Sequence, residues 1–303
     1  MLPGDTDEVD HKLRSVDTAQ VAIRSRSYWA TVIERLRADP VTLAFGALLL
    51  LIILSAVFAS FLAPYDPAAA SMIKRLKGIG TAGHLLGTDE TGRDMLSRLM
   101  YGGRLSLFMG VAPVLNALII GGTLGIFAGF VGGLPSMLIM RAMDVFYAFP
   151  SVLLAIAISG ALGAGIENAV ISLTIVFIPP IARISESVTT QVRSLDYVEA
   201  ARASGGKTFT IIRAHVLPNV LGPIFIYATS LISVSIILAS GLSFLGLGVR
   251  PPEAEWGLML NTLRQAIYVN PYLAALPGVM IFVTSLSFNL LSDGLRSAMD
   301  IRL

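Results

Sequence analysis

Tyr197-Val-Glu-Ala-Ala-Arg-Ala-Ser-Gly-Gly-Lys-Thr208, followed closely by His215-Val-Leu-Pro-Asn219, lies in the longest polar interruption of the apolar second half of the chain. Asp196 at a cap position with Glu199 three residues later makes a capping box, which predicts a helix starting there. Ala200, Ala201 and Ala203 give that helix small side chains. Gly205 and Gly206 end it, because glycine takes left-handed backbone without penalty. Thr208 is expected to cap a second helix that runs until Pro218 breaks it. A helix of about two turns is too short to be stable alone in water. Its small residues let another surface come close, so the stretch reads as a docking element.

Composition says where that element is displayed. Of 303 residues, 54% are hydrophobic and 14% charged, with a mean hydropathy of +0.75. Such values belong to a polytopic membrane protein. A net charge of +2 is too small to argue for nucleic acid as a partner. With no cysteine there is no disulfide framework, no thiolate nucleophile and no cysteine-based metal site.

Working outward from the docking stretch gives an all-α chain with six transmembrane helices. Residues 1–39 are polar and basic and read as a cytoplasmic tail rather than a secretory signal. Within them Tyr28, Trp29, Ile33 and Leu36 suit an interfacial amphipathic helix; for residues 1–25 a disordered tail is an equal alternative. Residues 40–63 form a first span, since about 20 apolar residues cross a bilayer. Residues 64–104 form an external segment. Residues 105–292 hold five more spans, with the docking loop at about 187–219, and 293–303 form a cytoplasmic tail. In this core a second span covers Leu105–Val131, a third runs from Ser136 to about Leu162, and a fourth starts at Asn168. The fourth must pass Arg183, because 15 uncharged residues rise only about 22 Å, and Pro179-Pro180 should kink it. The fifth covers Val220–Leu245 and the sixth Tyr272–Leu291. Fourteen of the 22 Lys and Arg fall on the side holding both termini and the docking loop. The positive-inside rule makes that side cytoplasmic.

Chemistry is narrowed by elimination. His11, His84 and His215 have no partners at metal-ligand spacing and read as polar surface residues. Gly241-Leu-Ser243 begins a nucleophile elbow, but Leu245 stands where glycine is required. Gly206-Lys207-Thr208 resembles the end of a phosphate-binding loop. Ala201 occupies the position of its first glycine, however, and a helix precedes it instead of a strand, so the chain carries no nucleotide site of its own. Arg141 with Asp144, and Arg183 with Glu186, are spaced for i,i+3 pairing at helix ends. A role in the transport path stays open for them, as for any ionisable residue in a span. Gly121, Gly125 and Gly129 form a small-x-x-x-small series that packs helices or builds a dimer seam.

The residues at the docking stretch resemble the EAA loop in the membrane subunits of ATP-binding-cassette importers. Glu199-Ala-Ala201, Gly205 and Leu217-Pro218 keep its spacing, with His215 where the general pattern has Ile. Three further stretches are similar to the C-type subunit of the peptide and nickel branch. They are His84 to Arg98, Gly241 to Gly248 with Pro251-Pro252 and Glu255-Trp256-Gly257, and Asn289 to Arg296. The resemblance covers residue 40 to the end.

It implies a type I ABC importer permease (MetI-like) fold with a cytoplasmic coupling helix, in the bacterial cytoplasmic (inner) membrane. The implied partners are a second homologous permease subunit, two cytoplasmic ATPase subunits that bind the ATP and Mg, an external solute-binding protein, and membrane lipid. This chain is then not an enzyme and holds no cofactor. Tyr197, Glu199, Ala200, Ala201, Ala203, Gly205, Leu217 and Pro218 become the ATPase-coupling residues. Gly87, Thr88, Asp89, Arg93, Asp94, Glu255 and Trp256 are candidate contacts for the binding protein, with plain loop packing as the other reading. Di- or oligopeptides are the leading substrate class, beside nickel chelates, glutathione or another small solute. An ATP-independent secondary carrier is the alternative from a different class. It should show intramembrane ions and an internal repeat, and of its signs only the Pro179-Pro180 break is present.

Overall fold

The computed structural model describes residues 28–299; the expectations for residues 1–27 and for the last four residues lie outside it. Helix α1 (Tyr28–Ala38) occupies the place foreseen for the interfacial helix and buries Val32. Asp39 then caps α2 (Pro40–Val57), accepting from the Val41 N–H at 3.0 Å and from the Thr42 hydroxyl. The single turn α3 (Ala59–Leu62) follows a break at Phe58. The next long helix, α4, spans Met95–Val131. After it come α5 (Gly133–Tyr147), α6 (Ser151–Leu162) and α7 (Ile166–Arg193). The helix expected as a docking element, α8, is Asp196–Ala203, and α9 runs over Thr208–Phe244. The short α10 (Trp256–Thr262) and the long α11 (Pro271–Met299) complete the order. Among the described residues, five helices are long and apolar enough to cross a membrane, and α5 with α6 make a sixth candidate bent by 87°.

The structure corrects several expected boundaries. Helix α4 begins ten residues before Leu105, because Asp94 caps it through the Ser97 N–H at 2.8 Å. The charges that made 95–104 look like a loop are satisfied within the fold by distant carbonyls. Arg98 donates to the carbonyls of Pro67 and Glu253, and Arg104 to those of Ala56 and Val57. The third span is two helices rather than one, since Pro150 disfavours helical backbone at Phe149 before it. Helix α7 stays continuous through Pro179-Pro180 and on past Arg183.

Pro218 does not break its helix. Residues Ile212–Val216 form a π turn, and Pro218 sits in the first turn of the α-helix that follows, where no N–H partner is needed. The fifth span therefore extends back to Thr208. Helix α11 likewise continues past Leu291 into the expected tail.

The centre is the α4–α7 pair. The glycine series faces backbone: a Cβ on Gly121, Gly125 or Gly129 would stand 2.6, 2.3 or 2.6 Å from the carbonyl oxygen of Ile178, Ala182 or Glu186. Packing inside the chain thus uses this face, and a dimer seam there is ruled out. Helices α6 and α9 close one apolar cluster over this pair around Met109, Leu173, Phe177 and Leu242. A second cluster gathers Ile52, Met95, Trp256 and Leu273 from α2, α4, α10 and α11. A third, at the opposite end of α4, gathers Phe130, Val198, Ile211 and Val220 under α8.

Candidate functional site

Helix α8 starts one residue earlier than the expected capping box requires. Leu195, in extended conformation, takes the cap position without a side-chain bond, and Asp196 is the first helical residue. Asp196 and Glu199 still place negative charge in the first turn, where the helix dipole favours it. At the other end Gly205 has φ of 79°. Its N–H donates to the Arg202 carbonyl at 2.9 Å, and that of Gly206 to the Ala201 carbonyl at 3.1 Å. These are the two bonds of a Schellman stop.

One side chain anchors the helix. Val198 is fully buried among Phe130, Val192, Ile211 and Val216. Arg202 lies 4.6 Å above the Phe130 ring, and the rings of Tyr197 and His215 are 6.5 Å apart. Tyr197, Glu199, Ala200, Ala203, Gly205 and Pro218 are exposed, while Ala201 and Leu217 are half-buried. Among the described residues the Glu199 carboxylate has no ionic partner. Leu195 and Phe209, not singled out in the sequence, flank this surface and are 46% and 74% exposed. The signal for Val198 was present: it is the one large aliphatic residue inside an otherwise small or polar helix.

The segment before α4 and the α9–α10 loop behave differently. Thr88, Asp89, Arg93, Asp94, Glu255 and Trp256 are all buried, and so is Gly87. Asp89 accepts from the backbone of Thr91 and Arg93 and pairs with the Arg93 guanidinium at 2.6 Å. Asp94 joins the Ser97 hydroxyl at 2.7 Å and His84 Nδ1 at 2.9 Å. Thr88 donates to the Lys74 carbonyl and accepts the Lys77 N–H. Gly87, at φ of 79°, leaves no room for a Cβ beside the Lys77 carbonyl. Glu255 caps α10 through the N–H groups of Gly257 and Leu258, at 2.9 and 2.8 Å, and accepts the Ser106 hydroxyl at 3.0 Å. Trp256 Nε1 donates to the Leu99 carbonyl at 2.9 Å. The seven residues named as candidate binding-protein contacts are thus engaged in packing and hydrogen bonding within the chain, as the plain loop-packing reading has it. What this segment exposes is Met72, Ile73 and Leu85. His84, expected at the surface, is buried against Tyr65.

Of the two expected i,i+3 pairs, Arg141 with Asp144 forms and Arg183 with Glu186 does not. Arg183 reaches across from α7 to Asp144 on α5, and its guanidinium lies 5.7 Å from the Tyr147 ring centre. Arg141 stays at 3.9 Å from Asp144, and Glu186 accepts from Thr190 at 3.2 Å. Among the described residues no group of three or more His, Asp or Glu is placed to hold a metal ion.

Comparison with known proteins agrees with this architecture. Residues 121–303 match the family of binding-protein-dependent transport system inner membrane components. Residues 27–77 match the N-terminal transmembrane domain of oligopeptide transport permease C. The chain is 41% identical over 278 residues to the glutathione transport system permease protein GsiD of Pectobacterium atrosepticum, covering 92% of both chains. It is 40% identical over 290 residues to the GsiD of Salmonella typhimurium, covering 96% of this chain and 94% of that one. A chain of the MetNI methionine ABC transporter in inward-facing conformation superposes with a TM-score of 0.56 at 18% identity, covering 67% of this chain and 97% of that one. That likeness concerns the fold. With the family match spanning most of the helical bundle, the chain belongs to the binding-protein-dependent transport system inner membrane components, as a permease subunit of an ABC importer.

Proposed function

We propose that this chain forms one half of the path of an ATP-driven importer for glutathione-like small peptides, and that α8 is where separate ATPase subunits drive it. The observation that carries the coupling role is the division of α8. Val198 fixes it to the bundle, while Tyr197, Glu199, Ala200 and Ala203 face outward, Glu199 with no ionic partner among the described residues. Closure of two ATPases around ATP and Mg would shift α8 as a rigid body, and the spans would alternate between outward- and inward-facing arrangements. The end carrying α8 is then cytoplasmic. The other half of the path is a second homologous permease, and an external binding protein delivers the solute.

The substrate class is supported by the two GsiD relatives, whose names specify glutathione transport. Di- and oligopeptides are the second reading, favoured by the match of residues 27–77 to a domain of oligopeptide transport permease C. Uptake of labelled glutathione and of labelled dipeptides by a strain lacking this chain, with and without its restoration, separates the two. Restored uptake of glutathione is expected, together with co-purification of an ATPase and a second permease. Transport by this chain alone in liposomes, indifferent to ATP, would overturn the importer mechanism.

A further inference from the structure

Three contiguous depressions, of about 350, 410 and 650 Å³, meet at Tyr227 on α9. Their walls are one stripe of α7 (Pro180, Arg183, Ser187) and one of α9 (Pro223, Tyr227, Val234), each recurring at helical spacing. The opposite face of α7, through Ala182 and Ser185, is the one packed on the α4 glycines. Arg183 stands about 15 Å inside the α7 end that carries Arg193, at 1.5 Å per residue. Its side chain is 51% exposed and that of Asp144 is 35% exposed. Glu186 and Arg296 line the adjoining depressions.

An ion pair this open, set in an apolar span, is costly against lipid. A purely structural pair gains nothing by facing a groove. We propose that Arg183 and Asp144 form a charge-matching site for a zwitterionic peptide, held in the groove centred on Tyr227. The proposal deepens the peptide-import reading and rests on it. The pair closes on itself when the groove is empty, so neither charge is left alone. A peptide carboxylate takes the guanidinium, whose planar fork suits it, while the peptide ammonium takes Asp144. For a simple dipeptide charge is conserved in the exchange, so the desolvation penalty of an unpaired ion is avoided; glutathione brings a second carboxylate, for which Arg296 in the adjoining depression is the available cation. The aromatic faces of Tyr147 and Tyr227 supply the apolar walls beside the exchanging ions.

The absence of cysteine makes the site directly readable. Single replacements Ser187→Cys and Val234→Cys in the groove, with Leu51→Cys on the outer face of α2 as reference, are made in the full transporter complex in nanodiscs. A membrane-impermeant thiol reagent should label the two groove positions much faster than Leu51→Cys. S-methylglutathione, which has no thiol, should protect them. Adding Arg183→Gln or Asp144→Asn should raise the protecting concentration roughly tenfold, as loss of one charge-assisted hydrogen bond does. ATPase activity and subunit co-purification report that the complex is intact, and the exchanged pair Arg183→Asp with Asp144→Arg should recover part of the protection. Groove positions as slow as Leu51→Cys would mean that lipid or the second subunit covers this face, which overturns the proposal. So would protection unaffected by the charge variants, or no protection by any peptide. Protection by alanyl-alanine with the same charge dependence, but none by S-methylglutathione, would keep the site and reject the glutathione reading.

Discussion

Gly125 meets Ala182 backbone to backbone: a Cβ on Gly125 would stand 2.3 Å from the Ala182 carbonyl oxygen. Gly122, one helix face away, would place its Cβ 3.8 Å from Leu118 Cδ1, an ordinary contact. Gly125→Ala should therefore force α4 from α7 and cost about 1–3 kcal/mol, the usual range for overpacking. Gly122→Ala should be close to neutral. Thermal unfolding of the purified complex compares them, and equal melting temperatures would mean that the two helices are not in close contact at Gly125.

The exposed side of α8 and its anchor should separate in their effects. Glu199→Lys changes a side chain with no ionic partner among the described residues, so insertion and expression should stay normal while ATP-driven uptake falls to background. Gly205→Asp puts a side chain on left-handed backbone, at roughly 1–2 kcal/mol, and should also abolish uptake. Val198→Asp instead buries a charge and should free α8 from the bundle, making the 195–207 segment protease-sensitive. Normal uptake in both Glu199→Lys and Gly205→Asp would show that α8 is not the coupling element.

Glu255 predicts a pH dependence. Burial pushes its carboxyl above the ordinary value, against the lowering effect of the Gly257 and Leu258 N–H groups and the Ser243 and Ser106 hydroxyls. The folded chain thus holds this proton more tightly than the unfolded chain. Its contribution is full below the usual carboxylate range and is lost as pH rises through the elevated folded value. Glu255→Gln keeps an acceptor for the α10 cap and removes the charge, so it should flatten this part of the pH profile of the melting temperature. Glu255→Ala removes the cap, at about 1 kcal/mol. An unchanged profile in Glu255→Gln would assign the pH dependence to another group.

The spans and the short helix α8 were legible because they rest on local information. Runs of uncharged residues, the Gly205-Gly206 stop and the small residues of α8 each act within a few positions. What stayed hidden depends on partners far apart in sequence. Arg98 and Arg104 look like loop charges until the carbonyls of Pro67, Ala56 and Val57 are brought to them. Arg183 has Glu186 at pairing distance in sequence, yet Asp144, 39 residues away, takes it. Asp89, Asp94 and Glu255 read as outward recognition groups because acids in loops are usually solvated. Here close neighbours in sequence supply most of the donors, and His84, Arg98 and Ser106 join them from further away. Pro218 shows that a proline's effect depends on whether it falls in a first turn or an interior, which the sequence around it did not distinguish.

The run of α9 from Thr208 through its π turn to Phe244 has one more consequence. Tyr227 lies 19 residues beyond Thr208, or about 28 Å along the axis at 1.5 Å per residue. A tilt of about 10° at the α8 end, carried along this rod, would sweep Tyr227 sideways by about 5 Å on that geometry. That is about the diameter of an amino-acid side chain. On the coupling and groove proposals above, the helix would work as a gear ratio, in which a small rotation at the α8 end changes the bore of the groove by enough to admit or expel one residue of a peptide.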